Sequence, residues 1–388
     1  MQGAVLGIDT SNYKTSAALV SADGRVLCDR RRFLDVPENE RGLRQQNALF
    51  QHVLHLPELL EELFSESGVT SEQLAAVAVS TRPRPVEGSY MPVFLAGEGT
   101  ARSLAAALHL PLIRTSHQEG HIRAAAQSSG MEIPDRMISF HFSGGTTEAV
   151  LLDQTKRNQK EAGWYQKVGG TEDLAAGQVL DRIGVQLGFP FPCGQYLDQI
   201  AVEMEACRIP DHELFRLSSI RCKDGHVHFS GLETDCSRRL ERILKMDDQE
   251  LRDILGEEGM NSLENHRPGN SLPDSFLSTL PSEEKRKAAG LMILLLMKRI
   301  TRAAALMTAD LAEIHDVHTF LLAGGVASSQ FMRTHFQEEL KRAQEKQKNR
   351  HRRKQNQVCF GTPQMSSDNA VGVAFLGLDA LEKDSQLK

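Results

Sequence analysis

Two histidines four residues apart, His117 and His121, stand in Thr115-Ser116-His117-Gln118-Glu119-Gly120-His121. The stretch lies between the apolar run Leu110-Pro111-Leu112-Ile113 and the helix-favouring Ile122-Arg123-Ala124-Ala125-Ala126. With Ser116 as the cap of a helix, the two imidazoles fall on one face and can share one metal. Neutral imidazole ligates zinc, iron and nickel, and two histidines on one turn fill two positions, so a distant residue must supply the rest. A carboxylate is the natural third. Glu119 is a poor choice, and a poor peptidase base: the zinc-protease motif puts Glu directly after the first His, where this chain has Gln118, and Glu119 points roughly 200° away from His117 around a helix. The spacing also suits two histidines satisfied by hydrogen bonds at a domain junction.

A second chemistry is written into the polar turns at strand ends. Ala4 to Ser11 and Thr15 to Val20 read as a hairpin with Asp9, Thr10 and Ser11 near its tip. Met137 to Leu152 repeats the design around Ser143, Gly144, Gly145 and Thr146. Thr319 to Ala323 runs into Gly324-Gly325 and, a little further on, Ser329. Glycine lets backbone N–H groups approach a phosphate closely, and hydroxyls add donors. Asp173, Gly177 and Asp181 fall four apart in an expected helix, on a stripe suited to a ribose or to solvent. Phe189-Pro190-Phe191-Pro192-Cys193-Gly194 is a stiff turn that opens the next helix.

The elements needed to position these residues follow from pattern. Leu74 to Ser80 reads as a buried parallel strand, Arg82-Pro83-Arg84-Pro85 as a rigid loop, and Val93 to Leu108 as an Ala- and Gly-containing helix that delivers the chain to the His117 segment. His52 and His55, in the expected helix from Arg41 to Ser65, read as surface residues. Two hairpins of one design, near residues 10 and 145, are what a duplicated ribonuclease-H-like ATPase fold would show, an α/β fold with two domains around a cleft that holds nucleotide. The expected domains are 1–110, with a C-terminal helix 366–382 packing back, and 111–365, with a polar insertion at about 247–281.

Composition sets the limits. The chain has 388 residues, 40% hydrophobic and 25% charged, with a net charge of -6, a globular composition with length enough for two domains. The charge argues against a protein coated for nucleic acid but leaves room for a local basic patch, such as Lys341 to Lys354. Six cysteines without a Cys-x-x-Cys pair read as reduced structural thiols. No apolar run approaches the ~20 residues that span a bilayer, and the N-terminus does not read as a signal peptide. The expected location is the cytoplasm.

Taken in order, His-x-x-Glu-Gly-His, Ser-Gly-Gly-x-Thr, Ala-Ala-Gly before Asp181, Phe-Ser-Gly-Leu-x-Thr, Ala-Gly-Gly-Val and Asp-Asn-Ala resemble the glycoprotease-like family, the TsaD-type proteins of the actin-like ATPase superfamily. The resemblance runs over nearly the whole chain. It implies one divalent metal, iron or zinc, held by His117, His121 and Asp368, and an ATP or acyl-adenylate site at Ser143, Gly144, Gly145, Asp181 and Gly194. It also implies transfer of a threonylcarbamoyl group to N6 of the adenosine beside the anticodon of ANN-decoding tRNAs, and assembly as a homodimer or with a related family subunit, without a membrane. This chain departs from the family pattern at Asn12-Tyr13-Lys14, at Arg44-Gln45-Gln46, and at Thr146, Leu174 and Ser329. Those changes point to a divergent paralogue, and they admit a non-catalytic subunit as the alternative.

Overall fold

The computed structural model describes residues 3–11, 13–36, 43–158, 163–261, 280–345, 355–366 and 369–386. Asn12, Asp368, most of the expected insertion and the basic stretch 346–354 lie outside them. The chain opens with β1 (Ala4–Ser11), β2 (Lys14–Ser21) and β3 (Val26–Phe33). There follow α1 (Gln45–Ser67), β4 (Leu74–Ser80), α2 (Phe94–Ala107), β5 (Leu112–Thr115) and α3 (His117–Ser129). The second run is β6 (Arg136–Phe142), β7 (Thr147–Asp153), α4 (Gln154–Asn158), β8 (Tyr165–Thr171), α5 (Ala176–Gln186), α6 (Gly194–Glu203) and β9 (His226–Val227). It continues with α7 (Ser230–Lys245), α8 (Asp248–Asn261), α9 (Glu283–His315), β10 (Thr319–Ala323), α10 (Gln330–Glu345) and β11 (Gln357–Phe360), and α11 (Val371–Gln386) closes the chain.

The duplication is visible in the strand order. The first sheet runs β3-β2-β1-β4-β5, and the second, read from its other edge, runs β9-β8-β7-β6-β10-β11. In each, an antiparallel meander of three strands continues through its first strand into two parallel neighbours. The fold is therefore α/β and is the expected duplicated ribonuclease-H-like arrangement, with β9 added at one edge. β1 is buried on both faces, which is why it reads as an apolar run rather than an alternation. Leu6 and Ile8 pack with α1 and α2 on one side, and Val5 packs with α11 on the other. α11 can lie this close because position 7 is glycine: a Cβ there would meet Ala370 O at 2.5 Å and Ala374 N at 2.6 Å.

Two compact units divide the chain, 1–133 with 361–388, and 134–360. The expected boundary at 110 falls inside the first unit, because β5 continues its sheet through parallel pairing with β4 and α3 packs on α11. The histidine pair and the segment that contains Asp368 thus belong to one unit rather than to two. In the second unit α9 is buried nearly all round by Leu, Met and Ala side chains, the signature of a helix inside a core.

Candidate functional site

α3 begins where sequence places it. Ser116 Oγ accepts from Glu119 N at 3.3 Å, while Ser116 N and Oγ donate to Glu119 Oε2 at 3.0 and 2.7 Å. This capping box occupies Glu119 in ordering the first turn. The next two N–H groups, of His117 and Gln118, donate to the carbonyls of Arg82 and Pro83 at 2.9 and 3.0 Å. The helix start is thereby fixed to the β4–α2 loop.

The histidines then meet Asp9, a residue whose sequence context shows only a hairpin tip. His117 Nδ1 lies 3.1 Å from Asp9 Oδ2, and Asp9, at the end of β1, is completely buried. Ser11 donates to the same carboxylate at 2.7 Å, and Ser80 donates to it as well. Burial pushes the Asp9 carboxyl up, but the charge of His117 and the hydrogen bonds from His117, Ser80 and Ser11 outweigh it and hold the group below the ordinary carboxylate range. An ionised carboxylate only accepts, so Nδ1 of His117 carries a proton, and in the neutral ring that leaves the lone pair on Nε2. That Nε2 faces His121 Nε2 at 2.9 Å, with the rings edge-on and 4.3 Å apart. The available signal was a charge ending a wholly apolar strand, which burial tolerates only when paired.

This donor set fits a metal. Two imidazole nitrogens converge, and a carboxylate behind one of them fixes its tautomer and ring plane, as metal-bound histidines require. Among the described residues no group of three or more His, Cys, Asp or Glu side chains is arranged to hold a metal, and Asp368 lies outside those residues. The start of α11 is nonetheless tied to α3. A Cβ at Gly372 would fall 1.8 Å from Gly120 O, and Asn369 Oδ1 accepts from the N–H groups of Val371 and Gly372 at 3.1 and 3.4 Å.

In the second unit the glycine turns gather at the carboxyl ends of β6 and β10, the end of an α/β sheet where ligands bind. Ser143 N donates to Thr146 O at 2.8 Å and Thr146 N to Ser143 Oγ at 3.1 Å, closing the turn. The turn rests on the start of α5, where Gly177 N donates to Ser143 O at 3.2 Å and Ala176 N to Thr147 Oγ1 at 2.9 Å. Gly177 permits this: a Cβ there would lie 2.5 Å from Gly144 Cα. Gly324, at φ +100°, sits against Phe142 O, which would be 2.2 Å from a Cβ, and so brings the Gly324-Gly325 turn beside Ser143. Asp181 accepts from Cys193 N, next to Gly194, at 2.8 Å, and a Cβ on Gly144 would lie 3.9 Å from Asp181 Oδ2. Burial pushes the Asp181 carboxyl up, against the pull of that N–H. A Cβ on Gly145, Gly194 or Gly325 would meet open space.

Other candidates are committed elsewhere. Thr10 Oγ1 donates to Val93 O at 3.0 Å and accepts from Gly97 N at 3.1 Å, so its hydroxyl docks α2. Ser329 Oγ donates to Asp198 Oδ1 at 2.5 Å, and the same carboxylate accepts from Gln330 N and Phe331 N at 2.8 and 3.0 Å. The N-terminus of α10 is thus capped from α6. α5 begins at Ala176, so Asp173 shares no helical stripe with Asp181; it accepts from Phe229 N and Ser230 N at 3.0 and 2.9 Å, capping α7. His52, expected at the surface, is fully buried and lies 2.8 Å from Thr15 Oγ1 through Nδ1.

Comparison with known proteins matches residues 37–347 to the family described as TsaD, tRNA N6-adenosine threonylcarbamoyltransferase. A relative of that name from Methanopyrus kandleri is 30% identical over 246 residues, 63% of this chain and 64% of that protein. One from Streptococcus suis is 32% identical over 232 residues, 59% of this chain and 63% of that protein. The matched part therefore spans less than two thirds of either. A relative of the same name from Granulibacter bethesdensis is 27% identical over 396 residues, 98% of this chain and 89% of its own length. Among solved structures, a ROK family glucokinase from Streptomyces griseus with glucose and AMPPNP has a TM-score of 0.45 at 14% identity, covering 96% of this chain and 99% of that one. YeaZ from Pseudomonas aeruginosa has a TM-score of 0.28 at 18% identity, covering 39% of this chain and 59% of that one. With the family match covering most of the sequence, the chain belongs to the TsaD family, tRNA N6-adenosine threonylcarbamoyltransferase.

Proposed function

We propose that this chain transfers a threonylcarbamoyl group from an adenylate to N6 of an adenosine in tRNA. The observation that carries the reading is the histidine pair with a buried carboxylate behind it, His117 Nδ1 to Asp9 Oδ2 at 3.1 Å and Nε2 to Nε2 at 2.9 Å. His117 and His121, with Asp368, would hold a divalent metal, iron or zinc, which when bound polarises a phosphate or carbonyl oxygen. Asp9 keeps the Nδ1 proton on His117 and so the Nε2 lone pair available. The Ser143–Thr146 and Gly324-Gly325 turns offer backbone N–H groups to the phosphates of ATP or of the adenylate. The Asp181 carboxylate, beside Gly144 and Gly194, accepts from ribose hydroxyls.

The test is transfer itself. Metal-loaded protein, an adenylate-generating partner and an unmodified ANN-decoding tRNA should give modified tRNA, and His117→Ala should abolish the product. No transfer by metal-loaded wild-type protein would sink the reading. It would leave the second one, a nucleotide- or metal-binding subunit without turnover, which two departures favour: Ser329 is committed to Asp198, and the Lys14 ammonium lies over the Phe33 ring at 4.7 Å. That reading predicts nucleotide affinity without product.

Assembly with a second copy or a related family subunit is part of the proposal, as is a cytoplasmic setting. Supporting it, Phe50, Val53 and Leu54, at i, i+3 and i+4 on α1, are 64%, 53% and 53% exposed, an apolar stripe of the kind that marks an interaction face. Among the described residues no helix is long and apolar enough to cross a membrane.

A further inference from the structure

The β4–α2 loop is tied at both ends to the histidine that anchors the candidate site. At its start, Thr81 N donates to Thr115 O at 3.0 Å, and the Arg82 and Pro83 carbonyls accept from His117 N and Gln118 N. At its far end Thr10 holds the Val93 carbonyl at 3.0 Å, and the Phe94 ring lies 6.3 Å from the His117 ring. Between these anchors Pro83 and Pro85 are half-buried, while Arg82, Arg84 and Val86 are exposed. Each proline also restricts the residue before it, so both arginines sit on a backbone with few alternatives. Tyr90, on the same loop, is 63% exposed. The result is a stiff rim beside His117 on which two arginines and one tyrosine are exposed.

That combination has a chemical reading. Guanidinium groups bind phosphates through paired N–H donors, and an exposed aromatic ring offers a face on which an unpaired base stacks. Sequence-specific RNA recognition acts on single-stranded loops, where bases are free to stack on such rings. A molecule with a net charge of -6 gains little from its overall field in attracting a polyanion, so binding must come from local patches. Resting on the transferase reading, we propose that Arg82, Arg84 and Tyr90 form the contact that seats the single-stranded loop of the acceptor RNA beside His117. The arginines hold backbone phosphates, and Tyr90 stacks on a base. Glu87, the carboxylate of this loop, opposes the RNA and limits its residence.

The measurement is binding of an unmodified ANN-decoding tRNA by fluorescence anisotropy over a salt series, for full-length wild type, R82Q/R84Q, Y90A, Y90F and E87Q. Nucleotide affinity, metal content and circular dichroism of each variant are recorded alongside. Losing two phosphate contacts should flatten the slope of log affinity against log salt by about 1.4, the single-strand value for two charges. Y90A should bind about tenfold more weakly, in the range of one lost stack, with Y90F close to wild type. E87Q should bind more tightly. Nucleotide affinity and metal content should stay at wild-type values throughout. If wild type transfers its group to tRNA while R82Q/R84Q keeps the wild-type salt slope and Y90A the wild-type affinity, the loop inference is overturned and the transferase reading stands. If wild type neither binds nor modifies tRNA, both fall.

Discussion

Asp9 shows how one side chain sets the chemistry of another. Its carboxylate, held ionised by His117, Ser80 and Ser11 against the cost of burial, decides which nitrogen of His117 carries the proton. Asp9→Asn keeps the volume but removes the charge. Metal titration should show affinity reduced about 10- to 100-fold, the usual cost of losing such a support, and unchanged affinity would show that Asp9 does not act through the histidine. His52 makes a different statement, about stability. Burial pushes it down to about 4 from an ordinary 6.5, against the pull of the Asp9 charge. Between those values the unfolded chain binds the proton that the folded one refuses, so stability rises with pH across the window. Its contribution is complete above about pH 6.5 and is lost as the pH falls towards 4, on the order of 3 kcal/mol at most. Urea unfolding at pH 7 and pH 4.5 should show that loss in wild type and a shallower one in His52→Leu; equal losses would assign the effect to other groups.

At the scale of elements, several close approaches depend on a missing Cβ. Gly177→Ala would set a methyl 2.5 Å from Gly144 Cα and lever the Ser143–Thr146 turn off the start of α5. Overpacking of this kind costs about 1–3 kcal/mol, and the expected result is a folded protein whose nucleotide affinity falls while its metal affinity holds. Gly372→Ala, 1.8 Å from Gly120 O, separates α3 from α11. There metal affinity should fall and nucleotide affinity hold, so isothermal titration of both variants with both ligands separates the two clusters. Gly7 makes another such approach, against Ala370 and Ala374. The helix-terminus chemistry at α10 follows the same logic in reverse, since Asp198 from α6 already satisfies the N–H groups of residues 330 and 331. A glycine pair before a helix is therefore no guarantee of an anion site there.

For the whole molecule, duplication explains why two clusters exist. Each unit repeats the meander and its two parallel strands, and each ends its first hairpin in a polar turn. In the first unit that region holds the carboxylate that faces His117, and in the second it holds the Gly144-Gly145 turn that rests on α5. Among the exposed apolar side chains, Phe50, Val53 and Leu54 form a stripe on α1. If that stripe is the assembly face, Phe50→Glu/Leu54→Glu should shift the light-scattering mass of the purified complex to that of the single chain without altering nucleotide affinity. An unchanged mass would move the interface elsewhere.

The local features were legible in the sequence because neighbours along the chain produce them. Ser116 and Glu119 cap α3 through their own spacing, His117 and His121 share a face because a helix repeats at that interval, and the two hairpins announce the duplication by repeating one pattern. The motif order carried the family. Tertiary structure alone decided which groups meet across long separations. Asp9 reaches His117 only because β1 pairs with β4 and β4 with β5, so that two strand ends converge. Asp173 looks like a candidate ligand until α7 is seen resting on it. His52 looks like a surface residue until Thr15 is found above it. A carboxylate or an imidazole has the same sequence signature whether it serves a ligand, a helix end or a core, since its role depends on the donors that folding brings to it.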